Sequence, residues 1–250
     1  MRPRSGSKEG ARHGFRTPTR PKPADSVDSA LARRLIHLNL LSAVAFILGG
    51  SLFALGAYSA QREVGSLATV NVTYLVGGFF FSLGAYASIL LIANNTRDVR
   101  ESINAARMRW WSARTRPPGW SSALVLFIGT LLFGVSLIAA FAEGLTPRQS
   151  NGWIWLPDIL GCICFLVSGH LALRDECDGH IGVRVHSVGW WVVAVNQVGS
   201  VLFFLAGIAA FTRPATSTSV DVGLVNWGTF AGAVCFVIGG FIQSFDKPRP

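Results

Sequence analysis

Residues 71–92 read NVTYLVGGFFFSLGAYASILLI, a run of 22 residues without a charged side chain. A helix of about 20 apolar residues crosses a hydrocarbon core of about 30 Å, whereas a membrane strand needs only about 10 residues with strict alternation. The run shows no such alternation, so it predicts a membrane-spanning helix. Runs of the same kind recur along the chain, and together they predict six spans at about 38–58, 71–92, 121–142, 153–173, 190–211 and 226–245.

The composition agrees with an all-α integral membrane protein. Half of the 250 residues are hydrophobic and 14% are charged, against about a quarter charged in soluble domains. The net charge of +9 raises the alternative of nucleic-acid binding, but the distribution of the basic residues argues against a nucleic-acid partner. Nineteen of the 22 Lys and Arg lie before the first span, in 93–120, in 174–189 or at the C-terminus, and only Arg62, Arg148 and Arg213 lie in the other loops.

This asymmetry follows the positive-inside rule. It predicts a multi-pass protein of the cell membrane with both termini in the cytoplasm. Residues 1–37 are interpreted as a disordered basic tail, 174–189 as a cytoplasmic loop and 246–250 as a short cytoplasmic tail. The connector 93–120 carries Val99, Ile103, Ala106 and Trp110 on one helical stripe, which predicts a basic amphipathic helix.

The tail and the connector are predicted to contact anionic lipids of the inner leaflet. The alternative is a solvated tail that only sets topology and a solvated cytoplasmic helix. The sequence indicates no particular protein partner, and a homo-oligomer is one alternative. No cofactor is expected.

The run 71–92 also contains an octet, GGFFFSLG at 77–84, that returns in every span. Its pattern is Gly, then Phe four residues on, then a small residue three further. Positions i, i+4 and i+7 share one helix face, and close packing of small residues holds helices together in lipid. We interpret the octet as a packing face; the alternative is incidental Gly and lipid-facing Phe. The Gly–Phe pairs are Gly49 and Phe53, Gly77 and Phe81, Gly129 and Phe133, Gly161 and Phe165, Gly199 and Phe203, and Gly232 and Phe236.

The octets come in pairs, which predicts three two-helix hairpins, at 38–92, 121–173 and 190–245. Each hairpin has an even number of spans, so all three enter from the same side as parallel repeats. The last hairpin, with WWVVAVNQVGSVLFFLAGIAAF and VNWGTFAGAVCFVIGGFI, resembles the YrhK-like domain of bacterial membrane proteins over about 187–245. The resemblance implies a two-helix membrane unit and brings no catalytic residues.

Several polar residues lie inside the spans. Asp158 is the one acidic residue in a span, and an ionisable residue in a membrane is a functional candidate. Asn71 and Asn226 share its predicted depth, whereas Asn196 and Gln197 lie toward the inner side. A cation or proton site and a polar pore lining are the functional interpretations. Interhelical hydrogen bonds are the structural one, and it is favoured here.

The loop LRDECDGHIGVRVH at 173–186 holds residue types that bind metals, but its spacing matches no metal site, and none is expected. No disulfide is expected either, because no pair of cysteines lies in an outer loop. No nucleophile–base pair or phosphate-binding loop is evident, so the chain is predicted not to be an enzyme. The leading hypothesis is a structural, scaffold or lipid-interacting membrane protein. The alternative is a small-solute or ion transporter with a polar path near Asp158, Asn196 and Gln197.

Overall fold

The computed structural model describes residues 23–95, 108–110, 119–180 and 182–246, with side chains from residue 29 onward. These residues form six long helices and no strand. Each helix is long and apolar enough to cross a membrane, which confirms the predicted all-helical polytopic protein. The helices are α1 (Pro23–Gln61), α2 (Leu67–Asn94), α3 (Trp120–Ala139), α4 (Pro147–Glu176), α5 (Val188–Ala209) and α6 (Val222–Phe245).

The first helix begins earlier than the sequence predicted. It is continuous from Pro23, so the prediction of a disordered segment is wrong for residues 23–37; residues 1–22 lie outside the described residues. Leu31 and Leu35 are 2% and 0% exposed and pack with Leu91 of α2. These leucines, four residues apart, continue the buried face of α1 beyond the apolar run, and an existing helix extends more easily than a new one nucleates.

Side-chain caps explain why other helices also start before the predicted spans. Ser66, Ser187 and Asp221 each accept a hydrogen bond from the backbone N–H three residues on, at the starts of α2, α5 and α6. Thr146 and Gln149 form a capping box at the start of α4. Such caps satisfy N–H groups that lack a partner within the helix, so the helix begins at the polar cap and not at the first apolar residue.

The connector between α2 and α3 is described only in part. The amphipathic helix predicted from Val99, Ile103 and Ala106 lies outside the described residues. Asn94, at the end of α2, is fully buried and holds the returning chain: its amide donates to the Arg109 carbonyl at 2.9 Å and accepts from the Arg109 N–H at 3.0 Å. Trp110, the last residue of the predicted stripe, is 64% exposed.

The six helices form a closed ring. Each packs against the helix before and after it in the chain, and α6 also packs against α1. The buried hydrophobic core runs down the middle of this ring and is dominated by phenylalanine. The end at which α1 begins and α6 ends is called the terminal end here, and the opposite end, with the 62–66, 140–146 and 210–221 connections, the distal end.

Candidate functional site: two cavities and a phenylalanine layer

The octet glycines bring the helices of each sequential pair into backbone contact. A Cβ atom added to Gly49 would lie 3.0 Å from the Gly77 carbonyl oxygen. One on Gly161 would lie 3.0 Å from the Gly129 carbonyl oxygen, and one on Gly232 would lie 2.9 Å from that of Gly199. Such distances are shorter than nearly all real Cβ contacts, so a side chain at these crossings would require the neighbouring backbone to shift. The same contact therefore occurs in α1–α2, α3–α4 and α5–α6.

The octet phenylalanines fill the space beside these crossings. An added Cβ on Gly77 would meet the Phe53 ring at 2.7 Å, and one on Gly49 would meet the Phe81 ring at 3.0 Å. Side chains on a helix lean toward its N-terminus, so a Phe one turn past its Gly leans back toward the crossing. Because paired helices run antiparallel, the two Phe of a pair approach the crossing from opposite ends, and all six meet at mid-depth.

We call these six side chains the phenylalanine layer. All are buried, with exposures between 2% and 9%. Their rings make edge, tilted and stacked contacts across the bundle, in the geometries that aromatic pairs prefer. The void between them has a volume of about 10 Å³, which holds at most one water molecule. The ring-centroid distances include Phe53–Phe81 at 5.2 Å, Phe81–Phe236 at 5.4 Å, Phe203–Phe236 at 5.4 Å, Phe165–Phe236 at 5.7 Å, Phe133–Phe165 at 5.0 Å and Phe133–Phe203 at 6.4 Å.

A cavity of about 320 Å³ lies on the distal side of the layer. Phe53, Phe133 and Phe203, which come from the three helices that run toward the distal end, form its floor. Three of the predicted polar residues line it. Its polar lining residues are Asn71, Tyr74, Ser136, Ser150, Asp158, Thr212, Ser219, Asn226 and Thr229.

An irregular turn of α4 places Asp158 at this cavity. Residues Asn151–Trp155 form a π-helical turn directly before Leu156–Glu176. Pro157 has no N–H to donate within the helix, and a wider turn accommodates this loss; such turns are frequent at functional sites. The Trp155 indole donates to the Gly207 carbonyl at 2.9 Å. A Cβ on Gly207 would lie 3.3 Å from Asp158 Oδ2, so the absence of a side chain there leaves room for the carboxylate.

The predicted distal residues have different surroundings. The Asn71 amide donates to the Ala140 carbonyl at 2.9 Å, which links α2 to the connection after α3. Asn226 is 7% exposed. Among the described residues, neither the Asn226 amide nor the Asp158 carboxylate has a hydrogen-bond or ion-pair partner. Asn71 is thus engaged in structure, whereas Asp158 and Asn226 present unused polar atoms to the cavity.

A second cavity, of about 200 Å³, lies on the terminal side of the layer. Phe165 and Phe236 line it, and so do Ser200 and Asn196. The Asn196 side chain contacts Gly239, and its buried Oδ1 has no partner. No charged side chain lines this cavity among the described residues. Its polar lining residues are Ser88, Ser122, Ser168, Asn196, Ser200 and Gln243.

Gln197 does not line either cavity. Its side chain packs against Gly169 of α4, with Nε2 at 3.4 Å from the Leu166 carbonyl and a buried, unpartnered Oε1. The predicted polar path is therefore divided: Asp158, Asn71 and Asn226 lie at the distal cavity, Asn196 at the terminal cavity and Gln197 between α5 and α4. The phenylalanine layer separates the two cavities.

The acidic residues at the end of α4 and in the loop after it all accept hydrogen bonds from other groups of the chain. Asp175 accepts from the Gly119 N–H at 2.7 Å, Glu176 accepts from the Ser187 hydroxyl, and Asp178 pairs with Arg184. Hydrogen bonding and charge attraction from Asp178 raise the pKa of Arg184. No group of three metal-binding side chains occurs in the described part of the chain. Asp175 thus links the end of α4 to the residue before α3, whereas Glu176 and Asp178 make their contacts within the segment that leads to α5.

Sequence analysis missed several residues of the distal cavity. Tyr74 lines it and packs its ring on Phe53 at 5.2 Å, and Gly207 and Trp155 frame Asp158. The spacing of Tyr74, three residues after Asn71, signalled a shared helix face. The sequence gives no signal for Gly207, because its role is to leave room for Asp158, which lies on a different helix.

Comparison with family models, with curated proteins and with solved structures finds no match to this chain. The resemblance of residues 187–245 to the YrhK-like domain therefore remains a prediction.

Proposed function

We propose that the chain is a non-enzymatic conduit that moves a small solute across the membrane, with the phenylalanine layer as its closed gate. One observation carries the proposal: two cavities of about 320 Å³ and 200 Å³, each with several polar side chains in a mainly apolar wall, lie along the bundle on either side of a single apolar layer. Polar cavities inside a membrane bundle are expensive and mark solute pathways.

The layer has the physical properties of a gate. Hydrophobic constrictions exclude water and stop ions without a covalent plug. The void of about 10 Å³ beside the rings has room for at most one water molecule. Rotation of ring side chains, or a small shift of one helix pair against the others, would join the cavities. The described arrangement is then the closed state.

The repeated glycine crossing supports a bundle of three parallel hairpin repeats. In each of α1–α2, α3–α4 and α5–α6, the octet glycines meet through a carbonyl contact and the Phe of one helix covers the Gly of the other. We propose that these pairs are three copies of one hairpin unit and that they act as the rigid bodies of the gate. Substrate sites of transporters commonly lie between such repeats.

We propose that the distal end faces the outside of the cell. The support is the basic-residue asymmetry of the sequence: 19 Lys and Arg lie before the first span, in 93–120, in 174–189 or at the C-terminus, and three lie in the other loops. The cavity with Asp158 would then open outward and the cavity with Asn196 toward the cytoplasm. The basic terminal end would bind anionic lipid of the inner leaflet.

A scaffold role is the second candidate. The close Gly–Phe contacts at the crossings favour it, since they pack the paired helices tightly against each other. A scaffold requires those contacts and no solute passage. Transport by the purified chain separates the two candidates.

The test is a flux assay with the full chain in liposomes. Phe165 contacts Phe81, Phe133, Phe203 and Phe236, so Phe165→Ala opens the layer, whereas lipid-facing Phe79→Ala is the matched control. We expect Phe165→Ala liposomes to pass small cations and polar solutes faster than wild-type and Phe79→Ala liposomes. Flux equal to that of protein-free liposomes in all three cases would leave the scaffold as the function.

A further inference from the structure

The distal cavity holds one carboxyl group and no basic side chain. Among its lining residues, Asp158 is the one with a carboxylate, and no Lys, Arg or His lines it. Within the described part of the chain the carboxylate accepts no hydrogen bond and forms no ion pair. An ionisable group in a membrane interior is normally paired, so an unpartnered carboxyl group beside a cavity can take a cation from solution as its partner.

The walls around Asp158 are aromatic. Phe53, Tyr74, Phe133, Trp155 and Phe203 all line the cavity. Ring faces carry partial negative charge and attract organic cations, for which aromatic cages are a recurring binding solution. The same rings give an apolar ligand a favourable surface.

The cavity does not suit a bare metal ion. Metal cations such as Ca²⁺ and Mg²⁺ need about six oxygen ligands at short distance, and the described residues contain no group of three side chains that could supply a metal site. The volume of about 320 Å³ lies at the lower end of small-molecule sites, which range over about 300–1,000 Å³. An organic molecule fills such a space, whereas a single ion does not.

A further polar group is available for recognition. Asn226 is 7% exposed and lines the cavity, and its amide has no partner among the described residues. Burying an amide without a hydrogen-bond partner costs free energy, and a ligand that hydrogen-bonds to the amide removes that cost. A cation that also carries a hydroxyl or carbonyl group would bind Asp158 and Asn226 together.

We propose that the distal cavity binds a small organic ammonium ion, whose charge pairs with Asp158 and whose carbon atoms contact the aromatic walls. The proposal names the substrate class of the conduit and rests on that proposed function for its physiological meaning. Binding itself is measured without transport.

The test is calorimetric titration of the purified full chain in uncharged detergent. The probes are methylammonium, choline and tetraethylammonium, together with 3,3-dimethyl-1-butanol, the uncharged isostere of choline in which carbon replaces nitrogen. We expect saturable binding of at least one ammonium ion, and choline at least tenfold tighter than its isostere. Asp158→Asn is expected to weaken ammonium binding at least tenfold, whereas Glu143→Gln, an exposed distal carboxylate outside the cavity, leaves it unchanged.

Three results would overturn the proposal: no saturable binding of any of the three ions, equal binding of choline and the isostere, or equal ammonium binding by wild type and Asp158→Asn. The thermal midpoint of Asp158→Asn without ligand shows that the variant is folded. Binding without flux would refute the conduit and keep the site. Flux without ammonium binding would refute the substrate class and keep the conduit.

Discussion

Individual glycines set how closely the helices approach. Gly129 and Gly134 lie on the same helix, yet only Gly129 is enclosed: an added Cβ would lie 2.8 Å from the Phe165 ring and 2.9 Å from Cys164 Cβ, whereas nothing lies within 4 Å of one on Gly134. The octet pattern predicted which of the two glycines packs against another helix. Gly129 is the first position of the pattern, whereas Gly134 is not one of its Gly, Phe or small-residue positions.

These two glycines provide a matched stability test. Gly129→Ala is expected to lower the free energy of unfolding, because overpacking costs about 1–3 kcal/mol. Gly134→Ala is expected to leave it unchanged or raise it by up to about 1 kcal/mol, the gain in helix propensity. Denaturant titration in detergent measures both. If the two variants unfold at the same midpoint, the octet glycines are not close-contact positions.

Asp158 is expected to contribute little to folding. It has no hydrogen-bond or ion-pair partner in the described part of the chain, so Asp158→Asn removes an unpartnered ionisable group and keeps the shape. The thermal midpoint in detergent should stay level or rise, by an amount that corresponds to roughly 0–2 kcal/mol at this depth. A lowered midpoint or aggregation on size-exclusion chromatography would show that the carboxylate holds the helices together.

At the level of the helices, hydropathy predicted which segments form the six long apolar helices. It placed the start of most of them later in the chain than the structure does. Apolar runs end at the first polar residue, whereas Ser66, Thr146, Ser187 and Asp221 are polar caps that belong to the helix start. For the same reason hydropathy did not predict the first turns of α1, where Leu31 and Leu35 pack against α2 before the apolar run begins. Helix ends are decided by capping and by neighbouring helices, and neither has a hydropathy signal.

The two faces of α2 provide a second test. Phe79 and Phe81 are two residues apart and so lie on opposite sides of the helix; Phe79 is 64% exposed and Phe81 is 4% exposed. Phe81→Ala is expected to cost about 3–5 kcal/mol because it leaves a cavity in the core. Phe79→Ala should cost much less, because lipid or detergent fills the space. Equal thermal midpoints for these two variants would argue against a packed phenylalanine layer.

At the scale of the whole molecule, the closed ring and its central layer were not predictable from spacing. The octet indicated that each helix has a packing face, but a face can meet one neighbour or many. In the structure all six faces meet at one depth, and the polar residues fall into two groups above and below them. Asp158 and Asn196 were predicted on one path because depth alone does not reveal an intervening layer.

The orientation of the bundle gives a prediction for intact cells. Single cysteines in the 62–66, 140–146 and 214–218 segments are expected to react with an impermeant thiol reagent added outside. Cysteines in the 178–186 segment are expected to react only after the membrane is opened, because the basic loops remain inside. Labelling of the two sets in the reverse order would place the Asp158 cavity on the cytoplasmic side.

The central claim is that the phenylalanine layer separates two cavities that open to opposite sides. Thr229 lines the distal cavity and Val193 the terminal one, and both are half-buried. The direct measurement uses Thr229→Cys and Val193→Cys in a background whose four cysteines are replaced by alanine, with a charged methanethiosulfonate added to one side of sealed vesicles. The account predicts that each cysteine reacts from one side only, that the two sides are opposite, and that Phe165→Ala allows reaction from both. Reaction of both cysteines from the same side with the layer intact would contradict it.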